Sequence, residues 1–177
     1  MNKRKQAIFT YILLMLLIPI GIKAQAQDSL LNELSDKWKN AKVYTLKIAE
    51  MMPEEEYKFK PMADEMTFGE QLLHIAQNMT WLSSTYLYGS KEIKKQDTVQ
   101  KSKRAIIQIL SMAYDSALAV HYRVSSHQLE EVVPFFAGSM KRRKIFVLMH
   151  DHQTHHVGQL IVYLRLKGIK PPDYVGW

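Results

Sequence analysis

The residues best equipped for chemistry lie together near the end of the chain, in His150-Asp151-His152-Gln153-Thr154-His155-His156-Val157-Gly158-Gln159. Four of the seven histidines fall within positions 150–156. Residues four apart share one face of an α-helix, so His152 and His156 project side by side and could grip one metal ion from one side. The same stripe carries Ile145, Met149, Leu160 and Tyr163, a face that should point into a core. Polar rings on such a face need partners, and a metal supplies one to each. Two histidines do not complete a site, so a third ligand has to come from another helix. His74, in Glu70-Gln71-Leu72-Leu73-His74-Ile75, is the candidate, although Glu70 and Asn78 share its face and leave its inward placement open. Three neutral imidazoles leave coordination positions for water or substrate, the arrangement a catalytic metal requires. Zinc, nickel, iron and manganese all accept imidazole, so the pattern points to a divalent ion without naming it.

Spacing alone also admits a plainer reading, in which these histidines are surface residues or are hydrogen-bonded within the core. His150 and His155 fall on other faces, solvated or supporting a ligand from behind. Asp151, four before His155, is placed to form a surface pair or to orient an imidazole. His121 and His127 read as ordinary surface residues at a helix end and in a loop. The H-E-x-x-H pattern is absent, so no glutamate stands ready in that motif as general base. Gln159, one turn beyond His156, could hydrogen-bond a substrate or simply bridge helices. Trp81, Tyr86 and Tyr163 could line a pocket, but aromatics on helices are more often core, and they receive no role.

The elements that must position these residues are helical. From Asp28 to about Met52, Leu30, Leu31, Leu34, Trp38, Ala41, Thr45, Ile48 and Met52 recur at three- and four-residue steps, and Pro53 ends the pattern. A second helix opens at Thr67, which forms a T-x-x-E capping box with Glu70, and runs to about Gly89. A third spans roughly Asp97 to Val124 on a stripe of Val99, Ile106, Ile109, Leu110, Ala113, Ala117 and Val120. The fourth runs from about Ser139 to Lys167, with Gly168 as its C-cap and Pro171-Pro172 beyond. Between the last two, Val132, Val133, Phe135 and Phe136, interrupted by Pro134, read as a packed loop. Nothing alternates in the strand manner over a useful length. Four helices of this length predict an all-α protein, a four-helix bundle.

The 177 residues have the size of one domain, 47% hydrophobic and 23% charged, and contain no cysteine. That excludes a disulfide framework, thiolate zinc sites and cysteine catalysis. The net charge of +7 is concentrated at the start: Lys3, Arg4, Lys5 and Lys23 lie in residues 1–26, which contain no acid, and the remainder carries 20 bases against 17 acids. Nucleic-acid binding thus loses its compositional support. Residues 1–26 have the three parts of a signal peptide: a basic start, an apolar run from Ala7 to Ile22, and Ala24-Gln25-Ala26 with small residues at −3 and −1. Cleavage after Ala26 is expected, leaving a domain of residues 27–177 that is exported, periplasmic or secreted, with no stable membrane insertion. The alternative is a retained anchor, for which the apolar run is short and broken by Pro19 and Gly21.

The pattern resembles the DinB-like superfamily, also called the DinB/YfiT-like metalloenzymes. The resemblance rests on Met52-Pro53-Glu54-Glu55 with Phe59-Lys60-Pro61, on Met66-Thr67-Phe68-Gly69-Glu70-Gln71-Leu72-Leu73-His74, and above all on Asp151-His152-Gln153-Thr154-His155-His156-Val157-Gly158-Gln159-Leu160. Members often show arginine where this chain has Val157. The resemblance implies a four-helix bundle with a divalent metal on three histidines, one from the second helix and two from the fourth, which here are His74, His152 and His156. Members with known chemistry include thiol transferases and a thiol-dependent isomerase, and dimers are frequent, so a homodimer is within expectation. The expected function is a metal-dependent hydrolase or transferase acting on an unidentified small molecule. The alternative is a non-catalytic metal- or ligand-binding protein of the cell envelope, whose site would hold a fourth protein ligand.

Overall fold

A computed structural model describes residues 31–87 and 101–176. The segment read as a leader, the start of the first helix, the stretch 88–100 and Trp177 lie outside the described residues. Within them the chain is an all-α bundle of four long helices. Helix α1 covers 31–51 and buries Trp38, Ile48 and Ala49. Its end is held by two devices. Pro53 begins a 3-10 turn, Glu54–Lys58, and the Lys103 ammonium donates to the carbonyls of Glu50 and Met52 at 2.7 and 2.8 Å. A cation on the last, otherwise unpaired carbonyls of a helix is where the helix dipole favours it.

Helix α2, Phe68–Leu82, starts with the expected box: the Glu70 amide donates to Thr67 Oγ1, and the Thr67 amide to Glu70 Oε2. It runs on into a π-helical turn, Ser83–Leu87. The hydroxyls of Thr80 and Ser84 donate back to carbonyls one turn earlier, at 2.7 Å each, competing with the backbone ladder where it widens. Helix α3, Lys103–His121, begins at Ser102, whose side chain accepts from the Ala105 amide. A short helix α4, Ser126–Glu130, follows. Helix α5, Arg142–Leu166, closes as the glycine at its end predicts. Gly168 has φ +72°, the Gly168 amide donates to Arg165, and that of Ile169 to Leu164, the paired bonds of a Schellman motif.

Several expectations need correcting. Helix α3 begins at Lys103 rather than near Asp97, with Lys101 and Ser102 outside it. The stretch around Pro134 is not wholly a packed loop. Val132–Val133 (β1) pairs antiparallel with Met140–Lys141 (β2), so α5 starts at Arg142 rather than Ser139. Phe135 is buried there, but Phe136 is 76% exposed. His121 is not a surface residue. It is 5% exposed, packed against Phe146 with ring centroids 4.2 Å apart, with Nδ1 3.3 Å from the Ser35 hydroxyl. His127 is exposed as expected.

The layers are joined by buried polar contacts as well as apolar ones. The Trp38 indole N–H donates to the Tyr114 carbonyl at 3.2 Å. The Tyr114 hydroxyl lies 2.8 Å from Thr45 Oγ1 and donates to Gln153 Oε1 at 2.8 Å, which ties α1, α3 and α5 together in the middle of the core. Satisfied networks of this kind fix how helices are rotated about their axes, because any other rotation strands a buried polar atom.

Burial and the neighbouring His150 push His121 down to about 4 from the usual 6.5. Between those values the unfolded chain takes a proton that the folded form refuses. Its contribution to stability is therefore complete above about pH 6.5 and is lost as the pH falls to about 4. Chemical denaturation at pH 7.5 and 5 should show wild type losing about 2 kcal/mol more than His121→Leu over that interval. Equal losses in the two proteins would contradict this account.

Candidate metal centre

Helices α2 and α5 run antiparallel and bring one histidine from α2 against two from α5. His74 and His152 face each other through Nε2 atoms 3.2 Å apart. The His74 ring centroid lies 4.6 Å from that of His156, and His152 and His156 are 4.5 Å apart. One nitrogen of each ring lies within 4.8 Å of the other two, so the three could hold a metal ion together. His156 is buried, while His74 and His152 are half-buried, so the group sits at the edge of the core with one side toward solvent. The i, i+4 pair on α5 meets as its spacing requires. The open question about His74 is answered by its neighbours. Glu70 is exposed and turned into the helix cap, and Asn78 is half-buried with its Oδ1 enclosed and unpaired, so the shared face lies at the border of the core.

The donor set fits a divalent ion on two counts. Two imidazole nitrogens on one tetrahedral ion, each at about 2.0–2.1 Å, stand roughly 3.3 Å apart, close to the 3.2 Å between His74 and His152. Ligand imidazoles must also be neutral, and burial lowers all three. His152 and His156 are pushed down to about 4, with the neighbouring rings adding to the effect, and His74 is lowered by desolvation. Among the described residues no carboxylate joins the group.

The surroundings are polar on one side. His156 Nδ1 lies 2.6 Å from Gln71 Oε1 and 3.1 Å from Gln159 Oε1, and Gln159 Nε2 reaches His155 Nε2 at 3.2 Å. Gln159 therefore contacts two histidines of its own helix. His155 is exposed as expected, and its recorded partner is Gln159 rather than Asp151. His150 departs from expectation: it is half-buried, its ring 5.7 Å from Trp38 and its Nε2 enclosed. Trp81 is not core either. It is 38% exposed and packs with Tyr86, Phe135 and Phe136. Tyr163 is buried, as read. Sequence reasoning missed Gln71, a fully buried amide among Leu72, Leu73 and Ile75. A glutamine on an apolar stripe three residues before a candidate ligand was the available signal. A separate groove of about 210 Å³ between α1 and α5, lined by Tyr44, Val157, Ile161 and Tyr174 among others, includes none of the three histidines.

The all-α bundle is a fold this chain shares with known proteins. The profile of the DinB family matches residues 26–176, so the chain belongs to the DinB family. The uncharacterized protein YjoA of Bacillus subtilis is 21% identical over 141 residues, covering 77% of this chain and 90% of that protein. Its crystal structure, a DinB-like protein, superposes with a TM-score of 0.67 at 18% identity, covering 80% of this chain and 96% of the other. A DinB-like protein from Bacillus cereus gives 0.68 at 18% identity, with 79% and 94% covered. At these identities the likeness is one of fold.

The register of the two helices is pinned near one end by the Tyr163 hydroxyl, which donates to the Met66 carbonyl just before α2 at 2.8 Å. Tyr163→Phe should lower unfolding free energy by about 1 kcal/mol in urea titration, the net worth of one such bond. An unchanged midpoint would mean that the bond does not hold the register.

Proposed function

We propose that this protein is an exported metal-dependent enzyme, a hydrolase or thiol transferase acting on a small molecule at a divalent ion held by His74, His152 and His156. The single observation that carries the reading is the convergence of three neutral imidazoles from two helices at a half-open edge of the core. A divalent ion in such a site supplies Lewis acidity, which lowers the pKa of a water or thiol enough to make it a nucleophile near neutral pH. The chain's own part is to bind, orient and exclude water. The buried side of the group keeps the rings desolvated and neutral, and the exposed side admits the substrate. Trp81 lies seven residues after His74, about two turns and roughly 10 Å along the same face of α2. With Phe136 it offers an apolar surface for a substrate body. Three protein ligands, with no carboxylate joining them among the described residues, favour an open catalytic arrangement over a saturated structural site. Export is proposed on the three-part pattern of residues 1–26 alone.

The test is elemental analysis of the protein made without a histidine tag, beside a His152→Ala/His156→Ala variant. About one divalent ion per chain is expected in wild type and close to none in the variant. Absence of metal from both, after incubation with zinc, nickel, iron and manganese, would sink the reading. A loaded site justifies screening hydrolytic and thiol-transfer substrates with the ion found.

A further inference from the structure

We propose that Gln71 is the positioning residue of the histidine group: its side-chain carbonyl holds His156 in the Nδ1–H tautomer and so presents the Nε2 lone pair to the space shared with His74 and His152. The argument rests on what faces His156 Nδ1. Two amide oxygens do, Gln71 Oε1 at 2.6 Å and Gln159 Oε1 at 3.1 Å, and neither can donate a hydrogen bond. The nitrogen between them must carry the proton. A neutral imidazole has only one N–H, so the other nitrogen is left as a bare acceptor.

The two amides are not equivalent. Gln71 is fully buried, makes the shorter contact, and comes from the opposite helix, three residues before His74. Gln159 is half-buried and shares its amide with His155. The ring is thus fixed across the seam, so that the helix supplying one candidate ligand also orients another. Tyr163, whose hydroxyl is tied to Met66, lies against Gln71 and backs its side chain. His152 has no such support, because its Nδ1 is enclosed without a partner. Of the α5 pair, His156 is the anchored ring. Partners behind a metal-binding histidine commonly change affinity by about 10–100-fold.

The link to metal affinity rests on the metal reading above, whereas the tautomer can be read without any metal. Long-range nitrogen–proton NMR of metal-free protein labelled at histidine, with His156 assigned from a His156→Gln variant, reports the tautomer directly. Zinc affinity follows from competition with a chromophoric chelator. Gln71→Met keeps the volume and removes the acceptor, and Gln71→Glu keeps an acceptor. Wild type should show a single Nδ1–H tautomer at His156. Gln71→Met should show mixed tautomers and bind zinc about 10–100-fold more weakly, and Gln71→Glu should restore both to within about threefold. A Gln71→Met protein with wild-type tautomer or wild-type zinc affinity would overturn the proposal. So would a Gln71→Glu protein as weak as Gln71→Met, since packing alone would then explain the loss. A wild type with a fixed tautomer that takes up none of zinc, nickel, iron and manganese would support Gln71's hold on the ring and overturn the metal reading alone.

Discussion

The seam between α2 and α5 is the constraint on which the rest depends. Three imidazole nitrogens converge within a few ångströms only if two antiparallel helices keep one register, since a slip of one residue moves a side chain about 1.5 Å along the axis and 100° around it. The seam is closed at both ends by contacts in which no histidine takes part. At one end Tyr163 reaches back to the Met66 carbonyl. At the other, the Arg142 guanidinium donates to the Tyr86 carbonyl in the π-helical turn and pairs with Glu131 at 3.1 Å. The histidines lie between these two clasps. The π turn and the β1–β2 hairpin are therefore parts of the site's scaffold: they place Tyr86 and Arg142 where the second clasp can form.

Burial acts on this seam in two opposed ways. Enclosing imidazoles lowers their affinity for protons, which suits a ligand but leaves each ring nitrogen in need of a partner. His156 has its partners in Gln71 and Gln159, whereas His152 Nδ1 and Gln71 Nε2 are enclosed and unpaired. At the centre of the core one network follows the opposite practice. Tyr114, completely buried, has contacts to both Thr45 and Gln153. Of the enclosed side-chain atoms without a partner among the described residues, Gln71 Nε2, His152 Nδ1 and Asn78 Oδ1 lie at or within a turn of the histidine group, and His121 Nε2 and His150 Nε2 lie beside Trp38.

How much of this was legible in the sequence depended on whether the deciding contact was local. The capping box at Thr67 and the glycine ending at Gly168 are local devices and were readable. So was the i, i+4 pair His152 and His156, because helix periodicity alone sets its geometry. His74 was ambiguous because two polar neighbours obscured its face. Only the structure shows that Glu70 is turned into the cap while Asn78 is enclosed. His121 was misjudged because the last turn of a helix usually frays into solvent, whereas here Trp38 and Phe146 cover it from two other helices. Gln71 could be noticed as a glutamine on an apolar stripe, but what it contacts was out of reach for the same reason: its partner stands 85 positions away along the chain.

The relatives sharpen the distinction between what the fold maintains and what it leaves free. Chains 18–21% identical to this one share most of its length, so the bundle tolerates replacement of most of its residues. A bundle of this kind demands an apolar stripe on each helix and little else of any single position. The histidine group demands more, because rings at the wrong rotation gain neither a metal nor each other. Between the two lies the rim, where Trp81 and Phe136 are exposed although large aromatics gain most from burial. The hairpin that carries Phe136 contributes only two residues to each strand, too few to explain it as a unit of stability. Its aromatic side chains instead extend the apolar surface that begins on α2 two turns from His74. This rim can change without disturbing either the stripes that fold the bundle or the seam that aligns the histidines.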